Sequence, residues 1–464
     1  MIRRKQSIQL FLLSLSLLLH GCASMRQREQ LEAFNKLYSH GLYEQAATTQ
    51  VALQSSQTAA PEDLLYSLEA GTAFRYAHQL KQSNTQFDQA EAILKYHNQQ
   101  KQLGKTVDSI GSILVNDALL DYSGTIYDGI MINTYKALNF WQQGDYQNAR
   151  VEFNRALDRQ RRAKEHFSKE ISNHKQALAQ KQAQDGINYQ KNLNNPRIAQ
   201  IIRKSYSNLD KFAAYPDFIN PFTTYLAGLF FLHDGSHNKA ADLLKEAYGM
   251  TPKQSVIKDD FIYAQKRANG AQIDHKYVWI IFENGMAPIK QEFRVDLPIF
   301  LLTRHVSYTG IALPKLRLQA PAYPYLNIEL KPNKVYQTQF LASMDRVIQT
   351  EFKKQYPWIV SRALLSAMVK TTAQYYAQQQ LGPWGGIIAG LMQLATTAAD
   401  LRIWSALPKE FQIAKISTPK DGKLNISPPN QPKLSIQLSP HKNYLLYIKI
   451  PMTNAPMTYK LLPL

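Results

Sequence analysis

The chain holds a single cysteine, Cys22, among its 464 residues. No disulfide can form within it, so its stability must come from packing, and cysteine-hydrolase chemistry elsewhere in the chain is excluded. Beyond the first twenty residues it lacks any run of eighteen uncharged apolar residues, so no further membrane span is expected. Acid is scarce: 35 Asp and Glu against 54 Lys and Arg leave a formal charge of +19. Catalytic signatures are also missing. There is no Gly-x-Ser-x-Gly elbow, no His-Glu-x-x-His, no P-loop and no dinucleotide fingerprint. A non-enzyme is therefore expected, with no cofactor and no metal. His233 and His237 stand four apart but flank a turn at Gly235, so they should not share a helix face. Two carboxylates such as Glu283 and Glu292, on neighbouring strands, keep a glycan hydrolase open as an alternative.

What is present begins at the N-terminus. Arg3, Arg4 and Lys5 precede an apolar stretch from Leu10 to Leu19, and Leu19-His20-Gly21-Cys22 follows. A short basic region, an apolar core too short to span a bilayer and a small residue before the cut read as a secretory signal over residues 1–21. The cysteine straight after the small residue makes it a lipoprotein signal, with Cys22 acylated as the first mature residue. Each buried methylene of an acyl chain adds about 0.8 kcal/mol, so several chains give a durable anchor. Ala23 and Ser24 follow with no aspartate, which favours the periplasmic face of the outer membrane over the inner membrane. In that compartment the available polyanions are lipid headgroups, lipopolysaccharide and peptidoglycan rather than nucleic acid. Solubility alone accounts for the charge equally well.

At this length two or three domains are expected. Residues 22–270 are rich in Ala, Gln, Leu and Lys and read as paired helices. A turn pattern recurs in them: a small residue, an aromatic two further on, then an alanine three beyond that. It runs Gly41, Tyr43, Ala46; Phe87, Ala90, Leu94, with a turn near 85; Gly144, Tyr146, Ala149, Phe153; and Gly235, Ala240, Leu244. Glycine permits the reversal and alanine lets the two helices approach. The pattern resembles the tetratricopeptide repeat, unevenly spaced and without its usual tryptophan. Between the last two copies lies a charged insertion, Arg150 to Lys191, expected as one long helix. Arg155, Arg159, Arg161, Arg162 and Lys164 cluster on it. From Asp145 to Lys211 there are fourteen Lys and Arg against seven Asp and Glu, so the run is either a solvated face or a grip on an acidic partner.

The texture changes in residues 271–464. Tyr277 to Phe282 is a buried-strand run, and Glu283-Asn284-Gly285 reads as a turn into a strand at Ile289 to Val295. Further strands at Ile299–Leu302, Val306–Leu313, Leu326–Leu330, Val335–Phe340, Phe411–Ile416, Leu434–Leu438 and Tyr444–Ile450, punctuated by prolines, predict a β-sandwich-like domain. A helical insertion over 344–404 interrupts them, read as a tight hairpin turning at Leu381-Gly382-Pro383. Gly386 and Gly390 are four apart beside Trp384, a groove suited to a membrane-touching or self-associating helix. The expected class is α+β and multidomain.

Several segments carry a wider resemblance: Val278 to Gly285, Gly310 to Leu316, Ala399-Asp400-Leu401-Arg402-Ile403-Trp404 and Leu407-Pro408, together with the Gly144 repeat. They resemble a largely uncharacterised family of Gram-negative outer-membrane lipoproteins with tetratricopeptide-like repeats. The resemblance implies a cell-envelope role and supplies no catalytic residues. Asp400, Arg402 and Trp404 are expected at a capped helix end, with a buried charge pair and the indole in the core. The expectation is a lipid-anchored adaptor that binds an envelope protein, in peptidoglycan assembly. A pilotin-like assembly factor for a secretin is the alternative.

Overall fold

The computed structural model describes residues 28–55, 60–102, 121–185, 219–298, 308–331, 334–395 and 398–464, with isolated positions between 196 and 218. Cys22 and the strand expected at Ile299–Leu302 lie outside the described residues. The fold is mixed α+β, with helices in the N-terminal half and sheets in the C-terminal part. The helices are α1 (28–39), α2 (Tyr43–Leu53), α3 (Leu64–Tyr76), α4 (Leu80–Gln102), α5 (Ile126–Gln142), α6 (Tyr146–Asp185), α7 (Pro221–His233), α8 (His237–Met250) and α9 (Ser255–Ala268).

One device ends five of them. Gly41, His78, Gly144, Gly235 and Gly270 take φ between +61° and +84°. The next residue's N–H then bonds five residues back: Leu42 to Leu37, Gln79 to Phe74, Asp145 to Phe140, Ser236 to Phe231 and Ala271 to Lys266, at 2.9–3.1 Å. The left-handed residue satisfies carbonyls that the helix end leaves open and turns the chain back on itself. The sequence pattern marks three of these turns. The Phe87 copy predicts a turn near 85, but the chain turns at His78. Phe87 sits nine residues past that turn, in mid-helix, as Phe153 and Leu244 do in theirs. There Phe87 lies against Gly71, where a Cβ would come within 2.7 Å of its ring, and Leu244 lies against Gly228 in the same way. In these two pairs the glycine that lets the helices touch is thus in the first helix.

Strands β1 (Tyr277–Asn284), β6 (Gln339–Ser343), β7 (Glu410–Ser417), β10 (Tyr444–Ile450) and β11 (Thr458–Pro463) form a five-stranded sheet in the order β11-β10-β1-β7-β6. β1 runs parallel to β10 and antiparallel to β7. The hairpin expected from β1 into β2 (Ile289–Pro298) is not made; β2 pairs with β3 (Tyr308–Arg317) in a separate two-stranded sheet. After Gly285 the chain leaves the sheet, because the Ala287 N–H bonds the Leu407 carbonyl instead. β4 (Asn327–Lys331), β5 (Lys334–Gln337), β8 (Lys423–Ser427) and β9 (Leu434–Gln437) make a four-stranded sheet in the order β5-β4-β8-β9.

The central sheet is covered on both faces, which the two-residue period of its strands makes explicit. Val278, Ile280 and Phe282 of β1 join Leu446, Ile328 and Ile426 in a core between the two larger sheets. Trp279 and Ile281 point the other way, into a core shared with the helices. Phe222 of α7 stacks on Phe411 of β7 with ring centroids 3.5 Å apart and planes at 4°.

The expected helical hairpin is a single helix, α10 (Met344–Ala395), 52 residues long. It continues through both Pro357 and Pro383. Proline fixes φ near −65°, a helical value, so each proline removes one ladder donor and bends the helix rather than ending it. Trp384, Gly386 and Gly390 are on its C-terminal third; their side chains lie outside the described residues. No helix among the described residues is long and apolar enough to cross a membrane.

His78 is exposed and lacks the glycine that the other four turns use. A left-handed conformation costs an ordinary residue about 1–2 kcal/mol, partly offset by the extra unfolded-state freedom of glycine. His78→Gly is therefore expected to stabilise the protein by about 0.5–1 kcal/mol, read as a higher urea midpoint at unchanged slope.

Candidate functional site

The chain between α10 and β7, residues 398–409, threads between the helices and the sheets, and side chains from both hold it. The Ala399 N–H bonds Glu292 Oε2 at 3.0 Å. Arg402 grips Asp400 with two bonds, Nε to Oδ1 at 2.8 Å and Nη2 to Oδ2 at 3.1 Å. Trp404 is fully buried and donates its indole N–H to Thr72 Oγ1 at 2.9 Å. Glu69, on α3 and fully buried, accepts from the Ser405 N–H at 2.9 Å and the Ala406 N–H at 3.2 Å. Tyr38 of α1 donates to the Ala406 carbonyl at 2.9 Å. The charge pair and the core indole follow the expectation from sequence, but the capped helix end does not: residues 398–404 lie outside any helix, and the Ala399 and Arg402 N–H groups bond the carboxylates of Glu292 and Asp400 instead.

Burial pushes the Glu69 carboxyl up to about 8, against the pull of the Ser405 and Ala406 donors. The geometry accommodates the neutral acid. Ser405 Oγ lies 2.8 Å from Glu69 Oε1 and 2.6 Å from Asn35 Oδ1. A protonated Glu69 donates to Ser405, which passes its own proton on to Asn35, so every group keeps a partner.

Two further buried carboxylates join helices to the sheet. Glu283 of β1 accepts from Tyr76 of α3 and Tyr447 of β10, with Tyr135 of α5 at 3.4 Å. Burial, and then the Glu283 charge, raise all three phenols, which stay protonated donors. Asp260 of α9 accepts from Tyr225 of α7 at 2.6 Å, from the Trp279 indole at 3.0 Å and from Lys415 of β7 at 2.6 Å. A third link runs from α10, where Glu351 accepts the Ile126 and Tyr127 N–H groups at the start of α5, at 2.9 and 3.2 Å.

Beside this strap opens a cleft of about 700 Å³. One face of α1, spaced three and four residues from Arg28 to His40, forms a wall; the start of β2, residues 317–321, the strap and residues 451–453 form the others. At its floor Lys290 donates to the Arg402 carbonyl at 2.9 Å. Burial lowers the Lys290 ammonium, offset in part by the Asp400 charge. Burial alone would raise Asp400; Arg402 and Lys290 hold it below its ordinary value. Glu283 is consumed within the core while Glu292 borders the cleft, so the carboxylates weighed from sequence belong to different sheets and different surroundings.

The basic cluster on α6 is divided by its partners. Arg159 bonds Glu91 of α4 at 2.8 Å, and Arg155 bonds Glu152 at 2.8 Å. Both adjoin Lys136, which is 3% exposed and sits 2.8–3.0 Å from Asp88, Glu91 and Glu152. Burial would raise Glu91, but Lys136 and Arg159 hold it down to about 2. Arg162 pairs with Asp158 one turn back, while Arg161 and Lys164 lie on the exposed face. His233 ends α7 edge-on to Trp279, ring centroids 4.9 Å apart, and His237 opens α8. The cleft was not legible in the sequence, since its walls come from five separated segments, residues 317–321 from the end of β3 among them. The one signal was the Ala399–Trp404 stretch.

No family model and no curated protein matches the chain. Among solved structures, a tetratricopeptide repeat protein from Parabacteroides merdae is similar at 15% identity, with 51% of this chain and 98% of that chain covered and a TM-score of 0.14. A likeness that weak carries no argument about this chain.

Glu69 favours folding most below its unfolded value near 4.5, and that contribution is lost as pH rises towards 8. Gln at position 69 does not titrate. The stability of wild type relative to Glu69→Gln, from urea midpoints, should therefore fall between pH 5 and pH 8, on the order of a few kcal/mol. A difference that grows with pH would contradict the assignment.

Proposed function

We propose that the chain is a non-enzymatic, lipid-anchored adaptor at the periplasmic face of the outer membrane. In this reading the N-terminal half is a tetratricopeptide-like array of helix pairs and the C-terminal part a β-sandwich-like body. Together they present binding surfaces to an envelope protein engaged in peptidoglycan assembly. The observation that carries it is Leu19-His20-Gly21-Cys22 behind a basic and apolar leader. The geometry supports a binding role in one respect. Glu69, Glu283 and Asp260 are each held by donors from other elements, as parts of a rigid scaffold rather than as free acids and bases. The exposed face of α6, with Arg161, Arg162 and Lys164, is the surface proposed for an acidic partner, and Trp384, Gly386 and Gly390 on α10 a second contact.

Replacing Cys22 by serine should abolish palmitate incorporation and move the protein from the outer-membrane fraction to the soluble periplasm. Unchanged fractionation would overturn the anchoring. Crosslinked envelopes should yield a cell-wall synthase or its regulator; recovery of a secretin without one would replace this partner with a secretion or pilus assembly complex.

A further inference from the structure

The charges of the cleft do not balance. Its three carboxylates each already have an arginine: Glu32 has Arg28 at 3.0 Å, Glu292 has Arg294 at 3.0 Å, and Asp400 has Arg402 at 2.8 Å. Lys36, Lys290 and Arg317 line the same cleft and form no ion pair among the described residues. Lys36 and Arg317 are exposed at its mouth, and Lys290 stands at the floor with only the Arg402 carbonyl as acceptor. Three cations without an ion-pair partner line one concavity, and Asp400 only partly offsets the charge of Lys290; they are suited to a phosphate, which offers several acceptor oxygens to Lys and Arg donors.

Part of the remaining lining is apolar, beside polar side chains such as Asn35, Gln291, Gln319 and Thr453. Leu31, Met286, Ile289 and Met452 contribute, and Met452 is 40% exposed. Methionine is the side chain that adapts best to a flexible hydrocarbon. A ligand satisfying both parts is an anion joined to an apolar chain.

Position along the sequence selects its source. Arg28, at the rim, follows Cys22 by six residues. A fully extended chain covers about 3.6 Å per residue, so the rim stays within roughly 20 Å of the acylated cysteine. We propose that this cleft binds an anionic phospholipid, its phosphate between Lys36, Lys290 and Arg317 and its first methylenes against Leu31, Ile289 and Met452. The proposal rests on the anchoring reading only for where the lipid comes from; the charge surplus stands without it. A bound phosphate also adds to the counter-charge of Asp400, which only partly offsets the desolvation of the Lys290 ammonium.

The test uses the chain carrying Cys22→Ser, so that its own lipid is absent, and dihexanoyl phosphatidylglycerol below its micelle concentration. Calorimetric titration should show saturable binding that weakens with salt. Glycerophosphoglycerol, which has the phosphate without the acyl chains, should bind about tenfold more weakly or worse, and dihexanoyl phosphatidylcholine likewise. Lys36→Gln with Arg317→Gln, both exposed positions, should lower affinity at least about tenfold at an unchanged melting temperature. Lys290→Gln is the second variant and should act in the same direction. Equal affinity of the double variant and its parent, absence of binding, or equal binding of glycerophosphoglycerol would overturn the assignment, the last by pointing to a soluble phosphodiester. Failure of the anchor shows up separately, in fractionation of the unmutated chain.

Discussion

The hold of Glu69 on Ser405 and Ala406 is the contact on which the rest of the architecture turns. A carboxyl group on a helix of the N-terminal half takes two backbone N–H groups from a segment more than three hundred residues away. That segment has left the helical and sheet ladders, so its amides need partners inside the protein, and an unmade buried bond costs about 1–3 kcal/mol. The same segment places Trp404 in the core beside Phe87 and Tyr135, and its Leu407 carbonyl fixes the exit of β1 through the Ala287 N–H. Glu283 and Asp260 repeat the principle at two more points along β1. Helices and central sheet therefore share one core, and what joins them is directional.

This arrangement places the cleft. It opens where the strap, α1 and the start of β2 meet, and its charged floor joins Lys290 of β2 to Arg402 of the strap. A scaffold built this way keeps Lys290 and Arg402 in fixed positions, since both are set by backbone contacts and by the Asp400 pair. The core thus supplies the stiffness that a charge-bearing recognition surface needs. The α6 ion network does the same for the helices: Lys136 and its three carboxylates fix α4, α5 and α6 against one another.

Much of this organisation could be read locally. The left-handed turns at Gly41, Gly144 and Gly235 announce themselves by composition, and so do the strands from Tyr277 and Tyr444 and the long α6. The turn at His78 was misplaced because its left-handed residue is not a glycine, and the marker taken for the turn was Phe87, a packing residue. The β1 to β2 hairpin was misread for a different reason. Glu283-Asn284-Gly285 does end a strand, but the buried Asn284 donates to the Tyr323 carbonyl at 2.7 Å, a contact set by residues far along the chain. Pro383 looked like a break because a proline's effect depends on whether the helix around it has other support. The cleft and the carboxylate links depend on pairings across more than a hundred residues, and nothing in local spacing specifies them.

The most direct test of the shared core is native-state hydrogen exchange on the full chain. Slow amides in α3 and α5 and slow amides in β1 should open with the same free energy and the same denaturant dependence, as parts of one cooperative unit. If the helical amides exchange through a separate, lower-energy opening while β1 stays protected, the helices and the sheet are independent bodies and the account is wrong.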